Sequence, residues 1–241
     1  MLAMKRFWNT AAAMPQEGGG FGVALDGRPV RLPGGAPLRV EAAPLAEALA
    51  AEWSAAAGGV RGGEMAPADV PLTRLVGTAQ ERIAPDPAPV VAGLAKYAET
   101  DLLCYRADDP RLAELQAREW QPLLDWAALQ LDAPLRSTEG VMPIAQDAAA
   151  LAALRRALAA LSPLALAALG VAVPALGSLV LGLALAQGRL DAAEAFRLAT
   201  LDETFQESFW GVDAEAASRR SRIAEDVALA GRLIDLARCG A

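Results

Sequence analysis

Thirty-two consecutive residues between Arg156 and Arg189 carry no formal charge. Such a run must be buried in a protein core or in a bilayer, and the part from Leu164 to Ala186 has the length of a membrane span. Its composition argues for the core. Pro163 and Pro174 divide it, Gly170, Gly177 and Gly182 interrupt it, and much of the remainder is Ala, which favours membrane insertion less than Leu or Ile. The spacing predicts a β or extended piece over Ala168–Pro174 and a fresh helix over Ser178–Gln187. Read this way, the run is the centre of a helical domain, its small side chains allow close packing, and no stable membrane insertion is expected.

The 241 residues carry 22 Lys plus Arg against 29 Asp plus Glu, a net charge of -7. Residues 1–75 hold seven of each sign, so the acidic excess lies downstream, opposite to the bias of a nucleic-acid binder. Histidine is absent, which removes His general bases, Ser-His and Cys-His nucleophiles and His-containing zinc sites. Cys104 and Cys239 are too few for a disulfide framework or a thiolate metal site. Gly18-Gly19-Gly20 precedes a strand pattern instead of following one, and no phosphate-loop sequence is present. No cofactor is expected.

The patterning predicts an α+β protein: a small N-terminal mixed β domain with a hairpin and helices over 1–85, followed by a larger all-helical domain over 86–241. FGVAL and RPVRL flank Asp26-Gly27, a hairpin signal, and one more strand should follow. Leu45, Leu49 and Trp53 mark the inner stripe of a helix over Pro44–Ala57. A second helix is expected over Leu72–Ile83, and Pro85, Pro87 and Pro89 form a stiff spacer. Further helices are expected from Val91 to near Tyr105, over Leu112–Trp126 with a kink or break at Pro122, over Ala148–Leu161, from Asp191 through to Trp210, and from Ala214 to about Ala237.

Without histidine, carboxylates are the available acids and bases. Asp101 lies in YAETDLLCYR, and Asp202, Glu203 and Glu207 lie in LDETFQESFWG. Glu203 and Glu207 are one helical turn apart, a repulsive spacing unless a partner surface, an Arg of the chain or a metal answers it. A solvated acidic face is the plainer reading. Cys104, at the end of an apolar segment, reads as a buried structural thiol, and Arg106 beside it cannot act as its base. Phe209-Trp210, next to Glu207, suits a binding surface.

Several stretches, in order across nearly the whole chain, carry a resemblance: MKRFW, GFGVALDGRPVRLPGG, LAEALAAEW, MAPADVPLTRLVGTAQERI, YAETDLLCYRADDP, REWQPLLDWA, GSLVLGLALAQGRLDAAEA and LDETFQESFWGVDAEAASRR. The chain resembles the assembly chaperone family of the F-type ATP synthase head, the branch that holds the alpha subunit. The resemblance implies a non-enzymatic holdase that covers the beta-facing surface of the unassembled alpha subunit until assembly. MKRFW begins at Met4, which leaves no room for a mitochondrial presequence, so a bacterial cytoplasmic member is expected. Asp202, Glu203, Gln206, Glu207 and Trp210 are the candidate partner-binding residues. Asp101, Cys104 and Arg106 are candidate structural residues, with Asp101 and Arg106 able to pair. Two other functions fit the residues alone: a His-free acid–base enzyme using Asp101 with Glu203 or Glu207, and a membrane-associated assembly factor using Leu164–Ala186.

Overall fold

The computed structural model describes residues 4–211 and 213–239. They form two compact units, residues 4–86 with 232–239 and residues 87–231.

The first unit is built on alternating strands. β1 (Met4–Lys5) pairs antiparallel with Glu64–Met65, while β2 (Ala11–Pro15), β3 (Phe21–Leu25) and β4 (Arg28–Pro29) form an antiparallel sheet in that order. Asp26 and Gly27 both have positive φ, 46° and 80°, the geometry of a tight two-residue hairpin turn. The Asp26 carboxylate accepts the Asn9 and Thr10 N–H groups, and those backbone bonds hold it below the usual carboxylate range. Where the sequence predicts one more strand the chain doubles back as an extended segment with isolated bridges only, Val30 donating to Val23, Leu38 donating to Val30, and Phe21 and Val40 exchanging bonds. Pairing of β2, from Ala11↔Leu25 to Pro15↔Phe21, has no counterpart in the sequence reading, because Ala-Ala-Ala-Met-Pro lacks alternation.

Val23, Leu25, Val30, Leu32, Leu38 and Val40 are buried. They share the core with Leu45 and Leu49 of α1 (Ala43–Ala55), which packs on β2 and β3. The last carbonyls of α1 are answered by a cation. Buried Arg6 donates to Ser54 O at 2.6 Å and Ala56 O at 3.0 Å, and its guanidinium lies 5.4 Å from the Trp8 ring. After β5 (Glu64–Met65), α2 (Pro71–Thr78) starts at the Glu52 carboxylate, which accepts the Leu72 and Thr73 N–H groups at 2.6 and 3.0 Å. It continues as a wider π turn over Ala79–Ile83.

In the second unit α3 (Ala88–Ala95) is shorter than its pattern predicts. Tight turns over Lys96–Thr100 and Leu102–Cys104 replace the rest of the expected helix, with Asp101 extended between them. β6 (Tyr105–Arg106) leads to α4 (Pro110–Leu131), capped by Asp109, and pairs in parallel with β7 (Thr138–Glu139). α4 does not break at Pro122. Pro122, whose ring lacks the N–H that would bond the Arg118 carbonyl, lies on an exposed side of the helix.

α5 (Ala148–Ala159) precedes the uncharged run, which folds as α6 (Pro163–Leu176) and α7 (Leu179–Ala186). The extended piece expected over Ala168–Pro174 is helical. Pro174 lies in the last turn of α6, and Gly170, four residues before it, is exposed, so the proline leaves no buried carbonyl unbonded. Every residue from Leu179 to Leu185 is buried. Gly182 permits the close approach of α6 and α7, since a Cβ there would clash with Val173 Cγ2. Among the described residues no helix is long and apolar enough to cross a membrane.

The helix expected from Asp191 to Trp210 is two, α8 (Ala192–Ala199) and α9 (Leu201–Trp210). The Leu198 carbonyl, which a continuous helix would give to residue 202, instead accepts the Trp120 indole N–H at 3.0 Å, and Thr200 Oγ1 donates back to Phe196 O. α10 (Ala214–Arg238) follows, its terminal turns from Arg232 grouped with the first unit. Within the second unit Gly231 lets α10 lie against Ala192, whose Cβ is 2.9 Å from the position a Cβ of residue 231 would take.

Asp101, with no exposure, joins the turns before β6 to the start of α7. Ser178 Oγ donates to it at 2.7 Å, Val180 N–H at 3.0 Å and Leu103 N–H at 3.1 Å. Burial nonetheless pushes its carboxyl up to about 6, although the donors pull the other way. The folded protein therefore holds the proton more tightly than the unfolded chain, and this residue's contribution to stability falls as pH rises from 3.8 to about 6. Asp101→Asn, which does not titrate and turns an NH2 toward one of the donors, is expected to cost about 1–3 kcal/mol. In thermal melts its deficit from wild type should be wider at the acid end of that window than above it.

Candidate functional site

LDETFQESFWG occupies α9, and its sides meet different surroundings. Leu201 is buried, Asp202, Glu203, Phe205 and Glu207 are half-buried, and Phe209 and Trp210 are 54% and 88% exposed. Two large aromatic side chains exposed side by side make an apolar patch of the kind found where proteins meet.

The acidic pair is answered from within the chain. Arg219 Nη2 lies 2.6 Å from Glu203 Oε1, and Arg220 Nη1 lies 2.5 Å from Glu207 Oε2. Successive arginines at the start of α10 thus take carboxylates one turn apart on α9, and Glu207 raises the Arg220 guanidinium above its ordinary value. Glu203 Oε2 and Glu207 Oε1 are shielded and accept no hydrogen bond. Among the described residues no set of three or more carboxylates and thiols could hold a metal.

Asp202 faces inward. Its Oδ1 accepts Gln116 Nε2 at 2.8 Å, while Gln116 Oε1 accepts the Ala107 N–H at 2.8 Å, and burial raises Asp202 above the usual carboxylate range. Gln206 is exposed between the acidic pair and the aromatic end. It lines one hollow with Glu203, Glu207, Trp210 and Arg219, and another with Arg111, Phe205 and Phe209.

Arg111, which sequence reasoning missed, organises the aromatic end. Its guanidinium lies 4.8 Å from the Phe209 ring centre and 5.9 Å from that of Phe205, and the two rings are 5.1 Å apart. Asp109 holds Arg111 in place at 3.0 Å while capping α4, and that bond keeps the Asp109 carboxyl low. Val141 and Met142, 90% and 73% exposed, follow Gly140, whose N–H donates to Arg106 O at 2.9 Å. This apolar pair is flanked by Gly140 and Pro143, a loop-tip signal legible in the sequence, whereas nothing in the sequence joins Arg111 to residues 205 and 209.

The structural candidates take separate partners. Asp101 is bonded to Ser178, Val180 and Leu103, whereas Arg106 donates to Leu103 O at 2.6 Å, Tyr105 O at 2.9 Å and Gln121 Oε1 at 3.2 Å. The Asp101–Arg106 pair that the sequence allowed is not among these bonds, each group being taken by other backbone and side-chain partners. Cys104 is buried, and desolvation, aided by the Asp101 charge, pushes its thiol up to about 12, which leaves it inert. The acid–base pair of the enzyme alternative is not assembled either: Asp101 has no exposure for a substrate to reach, and Glu203 and Glu207 are held by arginines.

Reversing charge in the acidic pair should therefore act first on the fold. The Arg219 partner of Glu203 is mostly exposed, so Glu203→Lys is expected to cost ~1 kcal/mol or less, while Glu207→Lys, facing the shielded Arg220, should cost several-fold more. Amide hydrogen exchange across α9 and the first turns of α10 checks the order.

The family model described as ATP12 chaperone protein matches residues 5–128. The crystal structure of Atp12 from Paracoccus denitrificans is 43% identical to this chain, covers 97% of it and 98% of its own length, and superposes with a TM-score of 0.87. An aspartate-to-lysine mutant of that Paracoccus protein matches equally well. The structure of a candidate chaperone from Agrobacterium tumefaciens is 39% identical, with 96% of this chain and 85% of that one covered and a TM-score of 0.86. With a family model spanning half of the chain and relatives of this identity along nearly all of it, the chain belongs to the ATP12 chaperone family, and its role is that of a non-enzymatic assembly chaperone.

Proposed function

We propose that the client is the unassembled alpha subunit of the F-type ATP synthase head, and that the chaperone covers its beta-facing surface in the bacterial cytoplasm until assembly. The single observation that carries the choice of surface is the exposed aromatic end of α9, Phe209 and Trp210, backed by Phe205 and Arg111. A subunit awaiting its neighbour presents an apolar interface, and its holder needs aromatic anchors with a polar rim that can let go. Gln206, Glu203 and Glu207 supply that rim. Asp202, bonded to Gln116, acts by holding α9 against α4, and Asp101, Cys104 and Arg106 serve the fold.

The reading is tested by co-purification with the alpha and beta subunits of the same organism, each expressed separately. Wild type is expected to retain alpha and not beta. Phe209→Ala with Trp210→Ala removes side chains that the fold does not bury, so the variant should melt like wild type while alpha retention falls about 30-fold or more, as for central anchors elsewhere. Undiminished retention by the folded variant would move the client surface away from α9, and failure of wild type to retain alpha would remove the client.

A further inference from the structure

The first unit carries a groove of about 500 Å³ that the client surface on α9 does not use. One wall is a face of α2 and its π turn, Arg74, Gly77, Thr78, Glu81 and Arg82, and the other is the segment from Val30 to Pro33. Trp53 forms part of the lining and is rigidly held. Its indole N–H donates to Thr73 Oγ1 at 3.1 Å, Thr73 is tied to Glu52, and the Trp8 ring lies against it edge-on at 5.1 Å. With that N–H spent, Trp53 offers the groove an apolar surface. Gly77 brings α2 close to the strand segment, since a Cβ there would lie 3.0 Å from Leu32 Cδ2.

Three arginines flank this apolar lining in a protein of net charge -7. Arg31 is braced by a bond to Gly35 O at 2.8 Å, and no ion pair or hydrogen bond engages the Arg74 or Arg82 side chain among the described residues. The acid of the lining, Glu81, accepts the Gly34 N–H at 2.8 Å. That bond also occupies a backbone donor that a phosphate would need. Arg74 and Arg82 are eight residues apart, roughly 12 Å along a helix, the span of three or four extended residues.

We infer that this groove is a second docking site, for an extended peptide segment of a client polypeptide in which apolar side chains alternate with carboxylates. The apolar side chains lie over Trp53 and the exposed Met4, and the carboxylates meet Arg31, Arg74 and Arg82. Complementary charge in a protein otherwise acidic selects this occupant over a neutral or basic one. The site stands apart from the alpha-subunit reading, because it shares no residue with the α9 surface.

The test is fluorescence anisotropy of the full chain with a labelled synthetic peptide, Asp-Leu-Glu-Phe-Asp-Glu. Saturable binding that weakens with salt is expected, lowered about ten-fold or more in Arg74→Glu with Arg82→Glu. Thr78→Phe, which fills the groove and leaves the arginines in place, should abolish binding with an unchanged far-ultraviolet circular dichroism spectrum. No binding by wild type, or equal binding by either folded variant, overturns the site. Equal binding of a peptide with Asn and Gln for the acids, or with Ala for Leu and Phe, overturns the paired chemistry. Arginine-dependent sedimentation with phosphatidylglycerol vesicles and no peptide binding would assign the groove to a lipid surface and also overturn the proposal. The probe contains no ATP synthase sequence, so its outcome is distinct from that of the co-purification.

Discussion

A carboxylate without solvent contact organises the helical unit. Asp101 satisfies the N–H groups at the start of α7, the Ser178 hydroxyl and the Leu103 N–H at once. α7 is buried along nearly its whole length and has no charged residue of its own, so its first turn needs an acceptor from elsewhere in the chain. Leu102 N–H bonding to Gly177 O adds a second tie beside it. The remaining helices of that unit use the apolar faces this arrangement presents, with Gly182 and Gly231 setting how closely they approach. In the β unit the comparable constraint has the opposite sign: the Arg6 cation answers the carbonyls at the end of α1.

The α9 surface is what remains after internal pairing. Arg219 and Arg220 neutralise Glu203 and Glu207, Gln116 takes Asp202, and Arg111 backs Phe205 and Phe209. Charge that would have made this helix merely hydrophilic is used to fix it in place. Its exposed aromatic end is presented from a held element, which lowers the ordering cost of any contact made there. The groove beside Trp53 divides its labour differently, with Trp53 locked by its hydrogen bond and arginines at the edges.

Sequence reading succeeded where short-range physics decides. The Asp26-Gly27 hairpin, the buried stripe of Leu45 and Leu49, the helix start at Asp191 and the burial of Cys104 were legible, because turn chemistry and periodicity act over a few residues. It erred where solvent or a distant side chain had the deciding role. Pro122 and Pro174 sit within their helices at exposed positions, and the helix ends at Thr200 because Trp120, eighty residues earlier, takes the Leu198 carbonyl.

The amino-acid sequence by itself determined the α+β class, the exclusion of histidine chemistry, the family resemblance and the small set of α9 residues on which function was sought. Tertiary structure alone decided what each of those residues touches. Glu203 and Glu207 have identical local signatures whether they meet a client, a metal or an arginine, and Asp202 reads the same whether it faces out or in. Electrostatic pairing and burial depend on which helix lies opposite, and that is a property of chain segments ten to a hundred residues apart, which no local pattern encodes.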